Sequence, residues 1–282
     1  MQPMPQQAYL AALEWHLDMG ANEAILEDAQ DHLQRPVAAP PPSVMGASPP
    51  VAESLASAER PSQAETAALA GTQALKQQAI ELAAAANTLE DLAAAIQNFE
   101  GLDIKKTATN FVFADGSPRA RVMLVGEAPG ADEDRQGTPF VGVSGQLLDK
   151  ILACIGLDRR AEDPAHSLYI SNVLNWRPPG NRTPTPQEMD IALPFIEKHI
   201  ALKNPECLIL CGGVAATTLL HSKESISRLR GTRHLFMPQT LRMDQGIPAI
   251  ATYHPSYLLR TPSQKAKVWQ DMLFLQKMLE EV

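Results

Sequence analysis

The chain has 282 residues, 45% of them apolar, and a net charge of −8. That length admits one large domain with appendages or two small ones, and no apolar run approaches a membrane span, so no membrane partner is expected. Met1 to Tyr9 has no basic residue, which argues against a secretory leader, and Cys154, Cys207 and Cys211 are too few for a disulfide framework and suggest a reducing compartment.

The acidity is local. Residues 1–98 hold 12 Asp and Glu against 3 Lys and Arg, a balance of −9, whereas residues 99–282 hold 20 against 21, a balance of +1. A nucleic-acid partner for the second part therefore stays open. In chain order, residues 1–34 read as one or two short amphipathic helices, with Leu10, Leu13, Leu17, Ile25 and Leu33 at roughly helical spacing and a break at Gly20. Residues 35–62 are rich in Pro, Ala and Ser and read as a disordered or polyproline linker. Residues 63–98 read as two helices meeting near Asn87-Thr88, the second capped by Thr88 with Asp91 three residues on, and packing on or leading into the following domain.

The pattern changes over residues 99–282. Short apolar runs at Val122–Val125, Leu168–Ile170, Leu208–Leu210 and Ile247–Thr252 alternate with helical segments around Ser144–Ile155, Pro186–Leu202, Val214–Leu220 and Ser263–Leu279. Such alternation predicts an α/β fold with a four-stranded parallel sheet covered on both faces. Parallel strands place their C-terminal ends on one edge of the sheet, where ligands bind.

Each of those ends is chemically distinctive. The first is Gly126-Glu127-Ala128-Pro129-Gly130, followed by Gly137-Thr138-Pro139-Phe140-Val141-Gly142. The second ends at Asn172 before a loop from Arg177 to Pro186 that includes Arg182. The third ends in Gly212-Gly213, and the fourth in His254-Pro255-Ser256-Tyr257-Leu258-Leu259-Arg260. An amide, an imidazole and a carboxylate converging there make a polar constellation. Asn172 alone would serve as a turn residue, His254 as a loop histidine and Phe140 as core. Glu127, wedged between Gly126 and Ala128, gains nothing from packing. Arg177, Arg182 and Arg260, with the amides of Gly212 and Gly213, could hold phosphates or be solvated loop groups. Leu258 and Leu259 beside the histidine could be wedges that enter a base stack, or core residues.

At these residues the chain closely resembles the family 4 uracil-DNA glycosylases, over about residues 99–282. The resemblance implies a three-layer α/β/α sandwich, uracil-containing DNA as partner, and hydrolysis of the N-glycosidic bond of a flipped deoxyuridine in base excision repair. By the same resemblance Gly126, Ala128, Phe140 and Asn172 bind the base, with Phe140 stacking and Asn172 reading its Watson–Crick edge. His254 donates to uracil O2, and Glu127 helps to place or activate the water. Arg177, Arg182, Gly212, Gly213, Ser256, Leu258, Leu259 and Arg260 fall to the DNA. A cytoplasmic, nucleoid-associated monomer is expected, whose Pro-rich arm could recruit a replication or repair protein.

One departure stands out. Family 4 enzymes typically carry a four-cysteine iron–sulfur cluster, and the matching positions here hold Phe99, Leu102, Trp176 and Ala192, none able to ligate iron. No cofactor and no metal are therefore expected, with Phe99, Leu102 and Trp176 forming an apolar plug in place of the cluster. Two other readings compete: a non-catalytic lesion-binding or polymerase-associated module of the same fold, and a different nucleotide-binding α/β enzyme. Joint retention of Glu127, Phe140, Asn172 and His254 argues against the first, and the absence of a Gly-x-x-x-x-Gly-Lys-Ser/Thr or Gly-x-Gly-x-x-Gly fingerprint against the second.

Overall fold

The computed structural model describes residues 63–281. The amphipathic segment and the Pro-rich linker anticipated over residues 1–62 lie outside them. Helices α1 (Gln63–Ala85) and α2 (Leu89–Asn98) precede the first strand. The anticipated cap of α2 is present: the Asp91 amide donates to Thr88 Oγ1 at 3.0 Å while the Thr88 amide donates to Asp91 Oδ2 at 3.1 Å. This exchange satisfies two amide donors that a helix start otherwise leaves open.

Six strands follow: β1 (Ala114–Gly116), β2 (Val122–Gly126), β3 (Leu168–Asn172), β4 (Cys207–Cys211), β5 (Arg233–Phe236) and β6 (Ile247–Thr252). They form one sheet in the order β1-β3-β2-β4-β6-β5. The four anticipated strands, β3-β2-β4-β6, run parallel, and β1 and β5 are antiparallel edges added to them. β2 has β3 on one side and β4 on the other, so successive connections leave it in opposite directions. A crevice opens at such a reversal, outside the carboxyl ends of the strands.

Every residue of β2, β3 and β4 is buried, which explains their continuous apolar runs. Their side chains nonetheless alternate between two cores. Met123, Val125, Tyr169, Leu208 and Leu210 pack with α1, α2 and the long helix α5 (Pro186–Lys203). Val122, Leu124, Ile170, Ile209 and Cys211 pack with α4 (Val143–Ala153) and α9 (Lys265–Glu280). Period-two alternation in a sheet covered on both faces thus yields three layers, helices on each side of the strands. The remaining helices are short: α3 (Ala131–Gln136), α6 (Gly213–Leu219), α7 (Ile226–Leu229) and α8 (Pro255–Arg260). Cys207 and Cys211 are buried at the two ends of β4, and desolvation pushes both thiols up, Cys207 to about 12. They behave as small apolar residues. Among the described residues no helix is long and apolar enough to cross a membrane.

Candidate active site

The ends of β2, β3, β4 and β6 enclose a cleft of about 540 Å³, lined among others by Glu127, Ala128, Phe140, Asn172, Gly212, Gly213, His254, Ser256 and Arg260. With Arg182 also in the lining and Gly126 added from its contacts, eleven of the fourteen residues singled out for the site in the sequence meet here. A Cβ built on Gly126 would lie 2.4 Å from Asn172 Oδ1 and 2.6 Å from the Phe140 ring. Only a glycine lets the amide and the ring close over β2 at that point. The turns after β2 and β3 are tied together, since the amides of Val173 and Leu174 donate to the carbonyls of Gly126 and Glu127 at 3.0 and 3.1 Å.

Asn172 is 2% exposed, and its Oδ1 is one of two buried side-chain oxygens among the described residues with no hydrogen-bond partner. Leaving a buried acceptor unmet costs about 1–3 kcal/mol. A base N–H entering the cleft would recover that cost. The atom is thus set up for a ligand rather than for the fold.

Phe140 is buried, with its ring centroid 5.4 Å from that of His254. The imidazole caps α8: Nδ1 accepts from the Ser256 amide at 3.2 Å and lies 2.8 Å from Ser256 Oγ. With Nδ1 engaged as acceptor, the single proton of the neutral ring sits on Nε2. Burial, helped by nearby Arg260 and opposed by Glu133, lowers the His254 pKa to about 4. The residue is a neutral donor throughout the physiological range. Glu127 is half-buried, and burial raises its carboxyl above the ordinary carboxylate range.

Residues 113–273 match the uracil DNA glycosylase superfamily. The chain belongs to that superfamily. It is 36% identical over 188 residues to a type-4 uracil-DNA glycosylase of Archaeoglobus fulgidus, which covers 65% of this chain and 89% of that protein. It is 38% identical over 160 residues to the type-4 enzyme of Thermotoga maritima, covering 56% and 77%. With the type-4 enzyme of Pyrobaculum aerophilum the identity is 33% over 188 residues, covering 65% and 91%.

Four of the anticipated DNA contacts need correction within this superfamily fold. Residues 255–260 form helix α8, so consecutive residues point in different directions. Leu258 faces inward and is fully buried in the core beside α4 and α9, while Leu259 is 44% exposed. Of the two leucines, Leu259 alone is placed to act as a wedge. Leu258→Ala should cost about 2–5 kcal/mol of stability as a core truncation. Leu259→Ala should stay within about 0.5 kcal/mol of wild type. Urea denaturation of the two variants separates the roles, and equal losses would sink the distinction. Arg177 is not at the cleft; its Nε donates to Asn181 Oδ1 at 2.6 Å and braces the Pro-rich turn. Arg182 does line the cleft, but its guanidinium forms a two-pronged pair with Glu188 at 2.6 and 2.8 Å, so a phosphate would have to share it. The amide of Gly212 is spent on the Thr252 carbonyl at 2.9 Å. Gly212 serves by its conformation, since its φ of 99° and the approach of the His254 side chain leave little room for a Cβ.

Glu133 and Arg159 were not foreseen. Glu133 lies in the cleft wall, 8% exposed, and accepts from the amides of Gly130 at 3.1 Å and of Val141 and Gly142 at 2.9 Å. Its place three residues after the Gly130 that opens α3 is a capping spacing, which was the available signal.

The four residues that the resemblance sets at the cluster-ligand positions do not supply ligands for an iron–sulfur cluster. Phe99, Leu102, Trp176 and Ala192 are 2–4% exposed within one apolar cluster and offer no thiolate. Phe99 packs edge-on against Phe195 at 5.2 Å, and Trp176 against Phe111 at 5.2 Å. Lys105 Nζ bridges the two, 3.4 Å from the Phe99 carbonyl and 6.0 Å from the Trp176 ring centre. Among the described residues no group of three or more His, Cys, Asp or Glu is arranged to hold a metal.

Proposed function

We propose that this chain hydrolyses the N-glycosidic bond of deoxyuridine in DNA, releasing uracil and leaving an abasic site. The observation that carries the reading is the unpartnered Asn172 Oδ1 facing a cleft shared with the Phe140 ring and a neutral His254. A uracil flipped into this cleft stacks on Phe140. Its N3–H meets Asn172 Oδ1, and the Asn172 amide donates to O4. Cytosine, with its donor and acceptor exchanged, would leave both groups unpaired. As the C1′–N1 bond breaks, its electron pair passes into the uracil ring and builds negative charge on O2, where His254 Nε2–H donates. A donor fixed in advance at a developing anion lowers a barrier by several kcal/mol. Water adds to C1′ of the resulting sugar cation, and Glu127 accepts the proton it loses.

Arg260, Ser256 and Leu259 face the DNA strand at the rim. The relatives' names supply uracil in DNA as substrate class. Incubation with single- and double-stranded oligonucleotides carrying one uracil, followed by alkali, should cut the labelled strand at that position. Intact strands in both substrates would end this reading.

The same fold is proposed to work without iron. Apolar packing of Phe99, Leu102 and Trp176 supplies what a cluster would otherwise hold together, each contributing roughly 1.5–3 kcal/mol by burial. Purified protein should be colourless near 400 nm, contain no stoichiometric iron, and keep full activity after prolonged chelation. Iron at one cluster per chain would refute this point and leave the glycosylase reading standing.

A further inference from the structure

Phe140 has a φ of +54°, in the left-handed region that bulky residues rarely occupy. Something must hold it there. Its carbonyl accepts from Arg159 Nη2 at 3.0 Å, and the preceding carbonyl, of Pro139, accepts from Arg159 Nη1 at 2.9 Å. On the other side, the amides of Val141 and Gly142 donate to Glu133 Oε1, both at 2.9 Å. The peptide joining Phe140 to Val141 is therefore gripped at both ends, its oxygen by a cation and its nitrogen by an anion. Gly145 completes the arrangement, because a Cβ there would fall 1.9 Å from the Phe140 carbonyl oxygen.

The guanidinium is itself fixed. Its side chain is 7% exposed and is paired with Asp149 of α4 at 2.8 Å and Asp115 of β1 at 3.0 Å. It does not line the substrate cleft but a second pocket, of about 480 Å³, with Phe140 as the wall common to both. A planar fork that meets two carbonyls and two carboxylates at once is a task for arginine and not for lysine. We infer that Arg159 is a positioning residue which, opposite Glu133, fixes the plane of the Phe140 ring against which the flipped base stacks. This rests on the assignment of Phe140 as the stacking surface.

The test uses the full chain, with single-turnover excision from a uracil oligonucleotide, inhibition by free uracil, and binding of abasic product DNA. Arg159→Ala should slow excision and weaken uracil inhibition, by up to about 100-fold for a misplaced contact surface. Affinity for abasic DNA, which puts no base in the pocket, should not change. Arg159→Lys should recover part of the loss. Adding Arg159→Ala to Phe140→Ala should lower the rate no further, because the two act as one unit. Multiplying losses in that double variant, a wild-type rate in Arg159→Ala, or a parallel loss of abasic-DNA binding would each overturn the inference. Wild-type uracil inhibition in Phe140→Ala alone would instead overturn the stacking assignment, and the clamp with it. If Arg159→Ala does not fold, Asp149→Asn, which keeps the guanidinium and removes one counter-charge, should give the same pattern at smaller size, and additivity with Phe140→Ala would again overturn it.

Discussion

Asn172→Ala should lower single-turnover excision of uracil by about 10²–10³-fold while costing the free protein little stability. The two halves of that expectation come from the same atom. Two hydrogen bonds to the base edge, each worth about 1.5–2 kcal/mol once the alternative is an unpaired buried group, convert to that rate loss. In the free protein, however, Asn172 Oδ1 has no partner, so its removal takes away an unmet acceptor as well as some packing. A site residue that is strained in the empty protein gives this trade of activity against stability. The check is a pair of measurements on one preparation, a rapid-quench excision rate and a urea midpoint. Loss of both in proportion would mean that Asn172 holds the β3 end together and that the base is read elsewhere.

How much of this arrangement the sequence displayed depends on how each residue is buried. β2, β3 and β4 are covered on both faces, so they appear as unbroken apolar runs and were legible. The edge strands are not. β1 is Ala114-Asp115-Gly116, half-buried throughout, and β5 is Arg233-His234-Leu235-Phe236, with Phe236 its one fully buried residue. Neither carries a pattern distinguishable from a polar loop, and the sheet supplies the pairing that makes them strands. The four strand ends were legible because a carboxylate, an amide and an imidazole have no packing reason to stand there. Leu258 and Leu259 were ambiguous because phase could not be assigned until His254 was seen to cap a helix of six residues. Arg159 carried no signal of its own: its meaning lies in Asp115, Pro139, Phe140 and Asp149, which are brought to it only by the fold.

His254→Ala should also reduce excision by about 10²–10³-fold, the range for removing one donor from a developing oxyanion, and pH separates its role from that of Glu127. The His254 pKa is near 4, so the wild-type rate should show no inflection at the ordinary histidine value of 6.5. The acid limb should belong to Glu127, whose carboxyl burial has raised: as pH falls through that raised value the base is protonated and the rate drops. Glu127→Gln should therefore flatten the limb, and His254→Ala should keep it at a lower plateau. Stability follows the opposite residue. A histidine depressed from 6.5 to about 4 on folding contributes stability that is fully present above 6.5 and is lost as pH falls toward 4, because the unfolded chain takes up the proton first. His199, buried against Tyr169 and lowered to about 3 by desolvation and by Lys203, acts with the same sign and persists in the variant. Denaturation midpoints taken from pH 7 to pH 4 should thus fall less steeply in His254→Ala than in wild type, without becoming flat. A rate inflection at 6.5 that vanishes in His254→Ala would show instead that the imidazole works as a titrating acid, and the neutral-donor assignment would have to be given up.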